Sequence, residues 1–287
     1  MSTVFRLSAA TVLDLVGVDA TAILNNLTTN DVKSLQVGCG CETFLTDVRG
    51  KTVAHVVAFR TADGFRLIGA PGQSDAIAAH ADRYTIREDA TPIDRSADNT
   101  VFVLAPDAAV TLREETDWGE CNAMCYDVDW LGDQTIVLVT ETPGGIEQVL
   151  SSTGEVSGDD VEFHQARTLA GFPWFGVDLS EKNLPQEASR IKQSICFTKG
   201  CYLGQETVAR LDALGQVQKQ LVRWQTSGAI PVAGSEVSAD EKVVGRLTSV
   251  AETGEDTAVA IGIARRSHFD PGATAKGDGF TATVVEQ

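Results

Sequence analysis

An antiparallel hairpin near the start of the chain is the feature that most constrains its fold. Apolar and small residues alternate over residues 53–59, and the turn Ala62-Asp63-Gly64 leads into a second apolar run at residues 65–68. Alternation with a period of two predicts strands, and a short glycine-containing turn places two such strands side by side in opposite directions. A doubly wound parallel sheet does not begin in this way, so the sequence predicts an α+β fold.

The rest of the N-terminal part repeats this mixture of short strands and helices. Helical spacing of apolar residues predicts an amphipathic helix within residues 17–35, with Asp19 as its N-cap and a polar turn at residues 28–31 after it. A second helix with a serine cap is predicted over residues 74–84. Apolar runs at residues 101–106 and 135–140 predict two further strands. Together these segments favour two α+β lobes.

The C-terminal part has a different pattern. Short β runs follow one another there, separated by Gly, Pro and Asp turns: QLVRWQT, KVVGRLTSVA, TAVAIGIARR and FTATVVEQ. Closely spaced strands of this kind predict a small antiparallel barrel. Residues 151–160 are rich in Ser, Thr, Gly and Asp and are predicted to form a flexible connector. We expect two α+β lobes over residues 1–212 and a β-barrel domain over residues 215–287.

The net charge excludes one broad class of function. The chain has 23 Lys and Arg against 40 Asp and Glu, a formal charge of −17, whereas a nucleic-acid binder presents a basic surface. The acidity is dispersed, and 8 lysines stand against 15 arginines. This pattern is typical of a protein that works in concentrated salt, where charge repulsion is screened, and it also occurs in ordinary acidic cytosolic enzymes. The sequence has no long apolar window and no leader-like start, which predicts a cytoplasmic protein without membrane contact.

Several well-known chemical motifs are missing from the sequence. It has no Gly-x-Gly-x-x-Gly after a strand, no Gly-x4-Gly-Lys-Ser/Thr and no Gly-x-Ser-x-Gly. Dinucleotides, nucleoside triphosphates and serine hydrolysis are therefore disfavoured. The six cysteines fall into three close pairs whose spacings differ from the repeated Cys-x2-Cys of zinc ribbons. We expect no metal site and, in the first two pairs, inert thiols.

The densest cluster of unusual residues is the segment 197–206, FTKGCYLGQE. Helical character begins at Gln205, so Cys201 is predicted to lie just before a helix N-terminus. Both the helix dipole and Lys199 would favour a thiolate there, which makes Cys201 a candidate nucleophile or redox group. The alternative is a structural cysteine packed beneath a glycine-rich turn, with Lys199 in solvent.

This segment resembles a known family. FTKGCYLGQETVAR is similar to the Lys-Gly-Cys-Tyr-x-Gly-Gln-Glu signature of the YgfZ family, folate-binding proteins related to the glycine-cleavage T-protein, an aminomethyltransferase. Four further segments resemble the family in the same order along the chain: LNNLTTNDVKSL, FLTDVRGKTVAHV, ARTLAGFPWFGVDL with LPQEA, and VVGRLTSVA. A collinear set of matches is stronger evidence than a single motif.

The resemblance implies a fold and a function. The expected fold is a multi-lobed α+β ring around a central cavity that holds tetrahydrofolate or a folate derivative, closed by the C-terminal barrel. The expected function is support of iron–sulfur enzymes, and through them of tRNA modification, with folate and iron–sulfur client or assembly proteins as partners. The implied catalytic residues are Cys201 and Lys199, and the implied cofactor-binding residues are Asn30, Asp31, Arg167, Glu187, Tyr202, Gln205 and Glu206.

Departures from the T-protein pattern decide against efficient aminomethyl transfer. The two acidic residues that T-proteins carry after the glycine turn align with Val53 and Ala54, which exchange no proton. The acidic residue that pairs with the pteridine aligns with Leu169. Folate binding would then need another acceptor, Glu187 or Glu206.

Two alternatives to the accessory-protein hypothesis stay open at this point. The first is a folate-dependent aminomethyl or methyl transferase, for which Asp47 is the nearby acid. The second is a scaffold that stores folate without chemistry. In each case we expect Arg167, Arg190 and Lys199 to form a positive patch that faces the cavity and attracts the anionic folate tail.

Overall fold

A computed structural model describes residues 3–215 and 217–286 of the chain. Its strands are β1 (Val4–Leu7), β2 (Thr11–Val16), β3 (Gly40–Thr46), β4 (Thr52–Arg60), β5 (Gly64–Gly69), β6 (Thr91–Asp94), β7 (Thr100–Leu104), β8 (Ala123–Val128), β9 (Thr135–Thr140), β10 (Ser157–Gly158), β11 (Lys219–Gly228), β12 (Glu236–Ala239), β13 (Lys242–Gly254), β14 (Thr257–Arg265), β15 (Thr274–Lys276) and β16 (Phe280–Val285). Its α-helices are α1 (Ala20–Leu27), α2 (Ser74–Tyr84), α3 (Pro106–Glu115), α4 (Gly144–Thr153), α5 (Asp160–Ala170), α6 (Ile191–Ser194) and α7 (Gln205–Leu214).

The first lobe is built on a five-stranded antiparallel sheet in the order β3-β4-β5-β2-β6. The predicted hairpin is its centre, since β4 and β5 pair antiparallel from Val56 opposite Gly69 to Arg60 opposite Phe65. Helices α1 and α2 contact each other and this sheet, and the lobe buries its own apolar core. The alternation at residues 53–59 and the turn after it therefore predict the central hairpin of this lobe correctly.

The second lobe is a five-stranded sheet in the order β10-β1-β7-β9-β8. Its strand β1 comes from the N-terminus of the chain and pairs parallel with β10 and antiparallel with β7. One apolar cluster includes residues of α3 and α4. A second joins residues of both lobes with an aromatic group from α5 and the segment after it. The two sheets are therefore held together by a shared core.

The C-terminal strands form a closed six-stranded barrel, in the order β11-β14-β13-β12-β15-β16. The four runs predicted from the sequence correspond to β11, β13, β14 and β16, and the barrel adds the short strands β12 and β15. Trp224, fully buried, lies in its core. The α+β fold with a small antiparallel barrel is thus confirmed.

The helix predicted within residues 17–35 is α1, which ends at Leu27, and the polar turn predicted at residues 28–31 follows it. Thr28 is extended and bridges Leu45 of β3, so pairing with β3 satisfies the backbone after the helix. Asp19 occupies the predicted N-cap position, but its side chain makes no capping hydrogen bond and accepts one from the backbone N–H of Asp89.

The predicted flexible connector is largely ordered structure. Helix α4 continues to Thr153, the strand β10 pairs with β1, and Asp159 caps α5 in a reciprocal capping box with Glu162. Ser, Thr, Gly and Asp favour loops, but they also favour helix ends, and here the second role applies. In the part of the chain that the structure describes, no helix is long and apolar enough to cross a membrane.

Candidate functional site

The signature segment is held against the first lobe by Lys199. Its Nζ donates hydrogen bonds to three backbone carbonyls at the end of α1: Asn25 at 2.7 Å, Thr28 at 2.7 Å and Asn30 at 2.6 Å. Lys199 is buried, and burial lowers its pKa to about 8. An ammonium with three donors satisfies carbonyls that a helix end leaves unpaired. Lys199 therefore organises the chain around it.

The glycine of the signature allows a very close backbone approach. Gly204 has φ +77°, and a Cβ on it would lie 2.5 Å from the carbonyl oxygen of Asp47 and from the Cα of Gly50. Just before it, Leu203 donates its N–H to Asn26 at 2.9 Å and accepts from the Thr46 hydroxyl at 2.6 Å. The signature segment is thus fastened to both α1 and the turn after β3.

Cys201 is the exposed thiol that this framework presents. It lies four residues before α7, at the rim of a cleft of about 420 Å³ whose lining is mostly apolar. The cleft is lined by Ile23, Asn26, Leu27, Tyr84, Cys201, Tyr202 and Leu203. The structural alternative considered from the sequence had the cysteine buried and the lysine in solvent. The structure has the reverse arrangement, with Cys201 exposed and Lys199 buried.

The other signature residues differ in burial and in their contacts. Tyr202 is buried, burial raises its pKa to about 12, and Lys199 Nζ lies 5.1 Å from the ring centroid. Its ring therefore packs against the framework. Gln205 is half-buried and donates its backbone N–H to the Tyr202 carbonyl, while Glu206 is exposed.

A separate cavity of about 220 Å³ lies between the first and second lobes. Its lining comes from β3 and β4 on one side, from the end of β8 on the other, and from α6: Gly40, Cys41, Glu42, Val57, Asp127, Val128, Asp129 and Gln193. This cavity and the cleft at Cys201 share no lining residue. The molecule therefore has two distinct candidate sites.

The wall of the cavity contains a buried charged network. Arg190 meets the Glu42 carboxylate with two nitrogens, Nε at 3.0 Å and a terminal nitrogen at 2.5 Å, and also donates to Asp129. On its other side Glu42 lies 2.8 Å from Nε2 of His55. Although burial acts in the opposite direction, the hydrogen bonds from His55 and Arg190 lower the pKa of Glu42. The network joins β3, β4, the end of β8 and the chain before α6.

Aromatic rings hold this network in place. The His55 ring stacks on Phe44 at 4.3 Å between centroids and on Phe172 at 5.8 Å. The Arg190 guanidinium lies 5.0 Å from the centroid of Phe172. A cation over an aromatic ring is stabilised by the ring quadrupole, and more so when water is excluded. The ring of Phe172 and the two carboxylate partners therefore fix the orientation of the Arg190 side chain.

Arg167 lies in a buried ion pair. Arg167 is 1% exposed and pairs with Asp178 at 2.7 Å, while it also donates to the Ser249 hydroxyl and to the Phe172 carbonyl. Because Ser249 is on β13, the pair ties α5 to the barrel. A guanidinium with these partners is not available to a folate tail.

Glu187 makes its contacts within a short turn. Its carboxylate is buried and accepts from Asn183 Nδ2 at 2.8 Å and from the Leu184 N–H, which caps the short 3-10 turn Pro185–Ala188. With Arg190 paired to two carboxylates and Lys199 to three carbonyls, the expected positive patch does not form.

Asn30 and Asp31 lie at the junction between the two sites. The Asn30 amide donates to the backbone carbonyls of Glu42 at 2.9 Å and Gln193 at 2.8 Å, so it brings β3 and α6 together beside the cavity. Asp31 accepts from the Lys33 N–H and interacts electrostatically with Lys199. Asn30 is therefore a positioning residue for the cavity wall.

The cysteines group differently in space than in the sequence. All six are free thiols, and Cys41 and Cys196 share their electrostatic surroundings with Lys199 and Asp31. Burial raises the pKa of Cys41 to about 12, whereas a hydrogen bond with the Thr198 hydroxyl lowers the pKa of Cys196. Cys41 is thus an unreactive thiol at neutral pH.

Sequence reasoning missed Glu42 and Asp129. Glu42 had a local signal, since it is a lone carboxylate between Gly40 and Phe44 in a run that otherwise reads as a buried strand. A charge at such a position requires a partner. Its partner Arg190 is 148 residues away, and Asp129 is 61 residues from Arg190. No sequence pattern connects the three.

The fold is that of a known solved structure. The chain superposes on the crystal structure of glycine cleavage system aminomethyltransferase T from Bartonella henselae with a TM-score of 0.85, over 99% of this chain and 86% of that chain, at 15% sequence identity. At this identity the likeness concerns the fold alone. It defines the class of protein: the chain has the aminomethyltransferase-like fold of T-protein.

The chain is also similar in sequence to several curated proteins. The chain is 26% identical over 253 residues to putative transferase At1g60990, chloroplastic, of Arabidopsis thaliana, and covers 81% of its own length and 58% of that protein. It is 25% identical over 249 residues to tRNA-modifying protein YgfZ of Yersinia pestis (strain Pestoides F), of which it spans 74%. It is 29% identical over 256 residues to iron-sulfur cluster assembly factor IBA57, mitochondrial, of Homo sapiens, of which it spans 68%.

These relatives and the fold agree with the resemblance found in the sequence segments. The chain is similar to proteins named YgfZ and IBA57, and it has the aminomethyltransferase-like fold. The match covers little more than half of the plant relative's length and about three quarters of YgfZ. No protein-family model matches the chain.

Proposed function

We propose that this protein binds tetrahydrofolate and supports the synthesis or repair of iron–sulfur enzymes, with the Cys201 thiol as its functional group. The relatives named for iron–sulfur cluster assembly and for tRNA modification support this function. The observation that carries it is that Cys201 stands exposed on a segment whose lysine and glycine serve to hold it there. Its partners are iron–sulfur client or assembly proteins in the cytoplasm, and any link to tRNA runs through those enzymes.

The cavity between the lobes is the site that fits folate. A pterin ring presents adjacent N–H donors, and carboxylates are strong acceptors for such donors. Asp129 and Asp127 supply carboxylates at the cavity, and Asn30 and Gln193 close its edge. When bound, tetrahydrofolate supplies a carrier for one-carbon groups. The chain's own residues bind and orient it there.

An aminomethyl transferase of the T-protein type is less well supported. Ala54 is fully buried in the core of the first lobe, and neither it nor Val53 exchanges a proton. Asp47, the alternative acid, accepts the backbone N–H groups of Arg49 and Lys51 at 2.8 Å each, which fixes the turn after β3. Its carboxylate therefore has a structural role in that turn. These contacts favour the accessory-protein hypothesis.

The test of this function is genetic complementation. In a strain that lacks the protein and shows reduced iron–sulfur enzyme activity, we expect the wild-type chain to restore activity and Cys201→Ser to fail. Cys39→Ser, which changes another exposed cysteine away from the signature, is the matched control and is expected to restore activity. Full restoration by Cys201→Ser would remove this thiol from the function.

A further inference from the structure

The basic groups expected to hold a folate tail are all engaged elsewhere. Arg167 is paired with Asp178 and is 1% exposed, and Lys199 donates to three carbonyls. Arg190 is paired with Glu42 and Asp129. Breaking a buried pair leaves an uncompensated charge, which is strongly unfavourable. None of these three side chains is therefore available to a glutamate carboxylate.

The cavity itself is acidic. Three carboxylates line it, from Glu42, Asp127 and Asp129, and no basic side chain is among the described residues that line it. Arg190 supplies one positive charge to its wall. A polyanionic tail that approached this opening would meet net negative charge. The charge distribution therefore favours a ligand group that donates hydrogen bonds.

One carboxylate oxygen is placed to receive such a group. Both oxygens of Glu42 are satisfied by His55 and Arg190, and Asp127 pairs with Arg113. Asp129 has one oxygen, Oδ2, on Arg190, while within residues 3–215 and 217–286 its Oδ1 makes no hydrogen bond. The side chain is 32% exposed and lines the cavity. Arg190 also fixes the carboxylate, so little freedom is lost when a ligand binds.

We propose that the cavity recognises the pterin headgroup alone, with Asp129 as the acceptor for its aminopyrimidinone N–H groups, and that the glutamate tail has no charged partner. This inference rests on the proposed folate function and specifies which part of the molecule is recognised. The site therefore discriminates poorly between a reduced pterin and tetrahydrofolate.

Calorimetry with two ligands tests the inference. Wild-type protein in molar salt is titrated with tetrahydrofolate and with 6-methyltetrahydropterin, which lacks the aminobenzoylglutamate tail. We expect dissociation constants within about fivefold of each other, because a solvent-exposed tail contact contributes little. We expect Asp129→Asn to weaken both ligands about tenfold or more, since it removes a charge-assisted hydrogen bond. The control Asp133→Asn, an exposed aspartate in the next turn, should leave both unchanged.

The outcomes separate this inference from the proposed function. If tetrahydrofolate binds more than about tenfold tighter than the pterin, the tail is recognised and the inference is wrong while the folate function stands. If Asp129→Asn binds both ligands as the wild type does, Asp129 is not the acceptor. If neither ligand binds the wild-type protein, both proposals fail. The two-ligand comparison on the wild type is decisive even if Asp129→Asn folds poorly.

Discussion

At the scale of single residues, what the candidate sites can bind depends on which charged side chains already have partners within the protein. Lys199, Arg167 and Arg190 look alike in the sequence, as basic residues near special motifs. In the structure the first caps a helix end, the second ties α5 to the barrel, and the third bridges the two lobes. The two candidate sites present the exposed thiol of Cys201 and one carboxylate oxygen of Asp129 that makes no hydrogen bond within the described residues.

Glu42 gives a prediction at this scale. Glu42→Gln keeps the shape of the side chain but removes the charge of one of the two carboxylates that pair with Arg190, and we expect the free energy of unfolding to fall by about 2 kcal/mol. Chemical denaturation at pH 7 measures the loss. Glu206→Gln, at an exposed position, is the control and should change stability by less than about 0.5 kcal/mol.

The loss of stability in Glu42→Gln should depend on pH. Because the pKa of Glu42 is lowered in the folded protein, its contribution is complete above the unfolded-state pKa of about 4.3. The contribution is lost as pH falls through the folded-state pKa. The stability difference between wild type and Glu42→Gln should therefore shrink as pH is lowered from 5 to 3. A difference that stays constant over this range, or its absence at pH 7, would contradict the role given to the network.

Some features of the candidate sites are visible in the sequence, and others depend on contacts between distant residues. The sequence could single out Cys201 as a candidate, because a cysteine beside a lysine and two glycines before a helix is a local pattern. It could not supply the partners of Arg167 and Glu187, since these become visible only when the chain is folded. Asp129 and Arg190 meet across 61 residues of sequence. Contacts of that range leave no trace in composition or spacing.

At the scale of secondary-structure elements, the signature segment connects α1, the turn after β3 and the start of α7. Lys199 holds the C-terminal end of α1, Leu203 bonds to both α1 and β3, and Gly204 crosses the turn between β3 and β4. The motif therefore fixes the start of α7 and, with it, the position of Cys201. Most of the motif serves structure, and the exposed thiol is what that structure presents.

Two glycines with similar backbone angles test this account of the motif. Gly204 has φ +77° with backbone atoms 2.5 Å from a would-be Cβ, while Gly72 has φ +82° with nothing within 4 Å. Gly72→Ala should cost about 1 kcal/mol from the left-handed conformation alone. Gly204→Ala should cost clearly more, because backbone must also move. Urea denaturation of both variants measures the difference, and equal losses would mean that the crossing does not constrain the fold.

Elements with strong local patterns were predictable, and those defined by pairing were not. The hairpin β4–β5, helix α2 and four barrel strands follow from alternation, helical spacing and turns. The turn after α1 was also predicted, but the pairing of Thr28 and Thr29 with β3 was not, because it joins segments that are separated in the sequence. Likewise the two-residue strand β10 is defined by its pairing with β1, which is distant in the sequence but adjacent in the sheet.

At the scale of the whole molecule, the chain shares the aminomethyltransferase-like fold at low sequence identity. The TM-score to T-protein is 0.85 at 15% identity, so the likeness concerns the arrangement of lobes and barrel. The sequence resemblance implies that Val53, Ala54 and Leu169 stand where T-proteins carry acidic residues. The carboxylates that line the cavity of this chain are Glu42, Asp127 and Asp129.

The net charge of −17 bears on how the molecule meets an anionic ligand. At low ionic strength this charge repels folate as a whole, and molar salt reduces the screening length to about 3 Å. Binding should therefore be measured in concentrated salt, where the contacts inside the cavity decide affinity. Adaptation to a salt-rich cell stays a prediction from composition.

The most direct test of the central claim is a calorimetric titration of tetrahydrofolate into the wild-type protein and Cys201→Ser in molar salt. Because the cavity and the cleft at Cys201 share no lining residue, we predict one saturable site per chain with equal affinity in both proteins. The folate site would then be intact in a variant that fails to support iron–sulfur enzymes. Absence of binding to the folded wild-type protein would contradict the account.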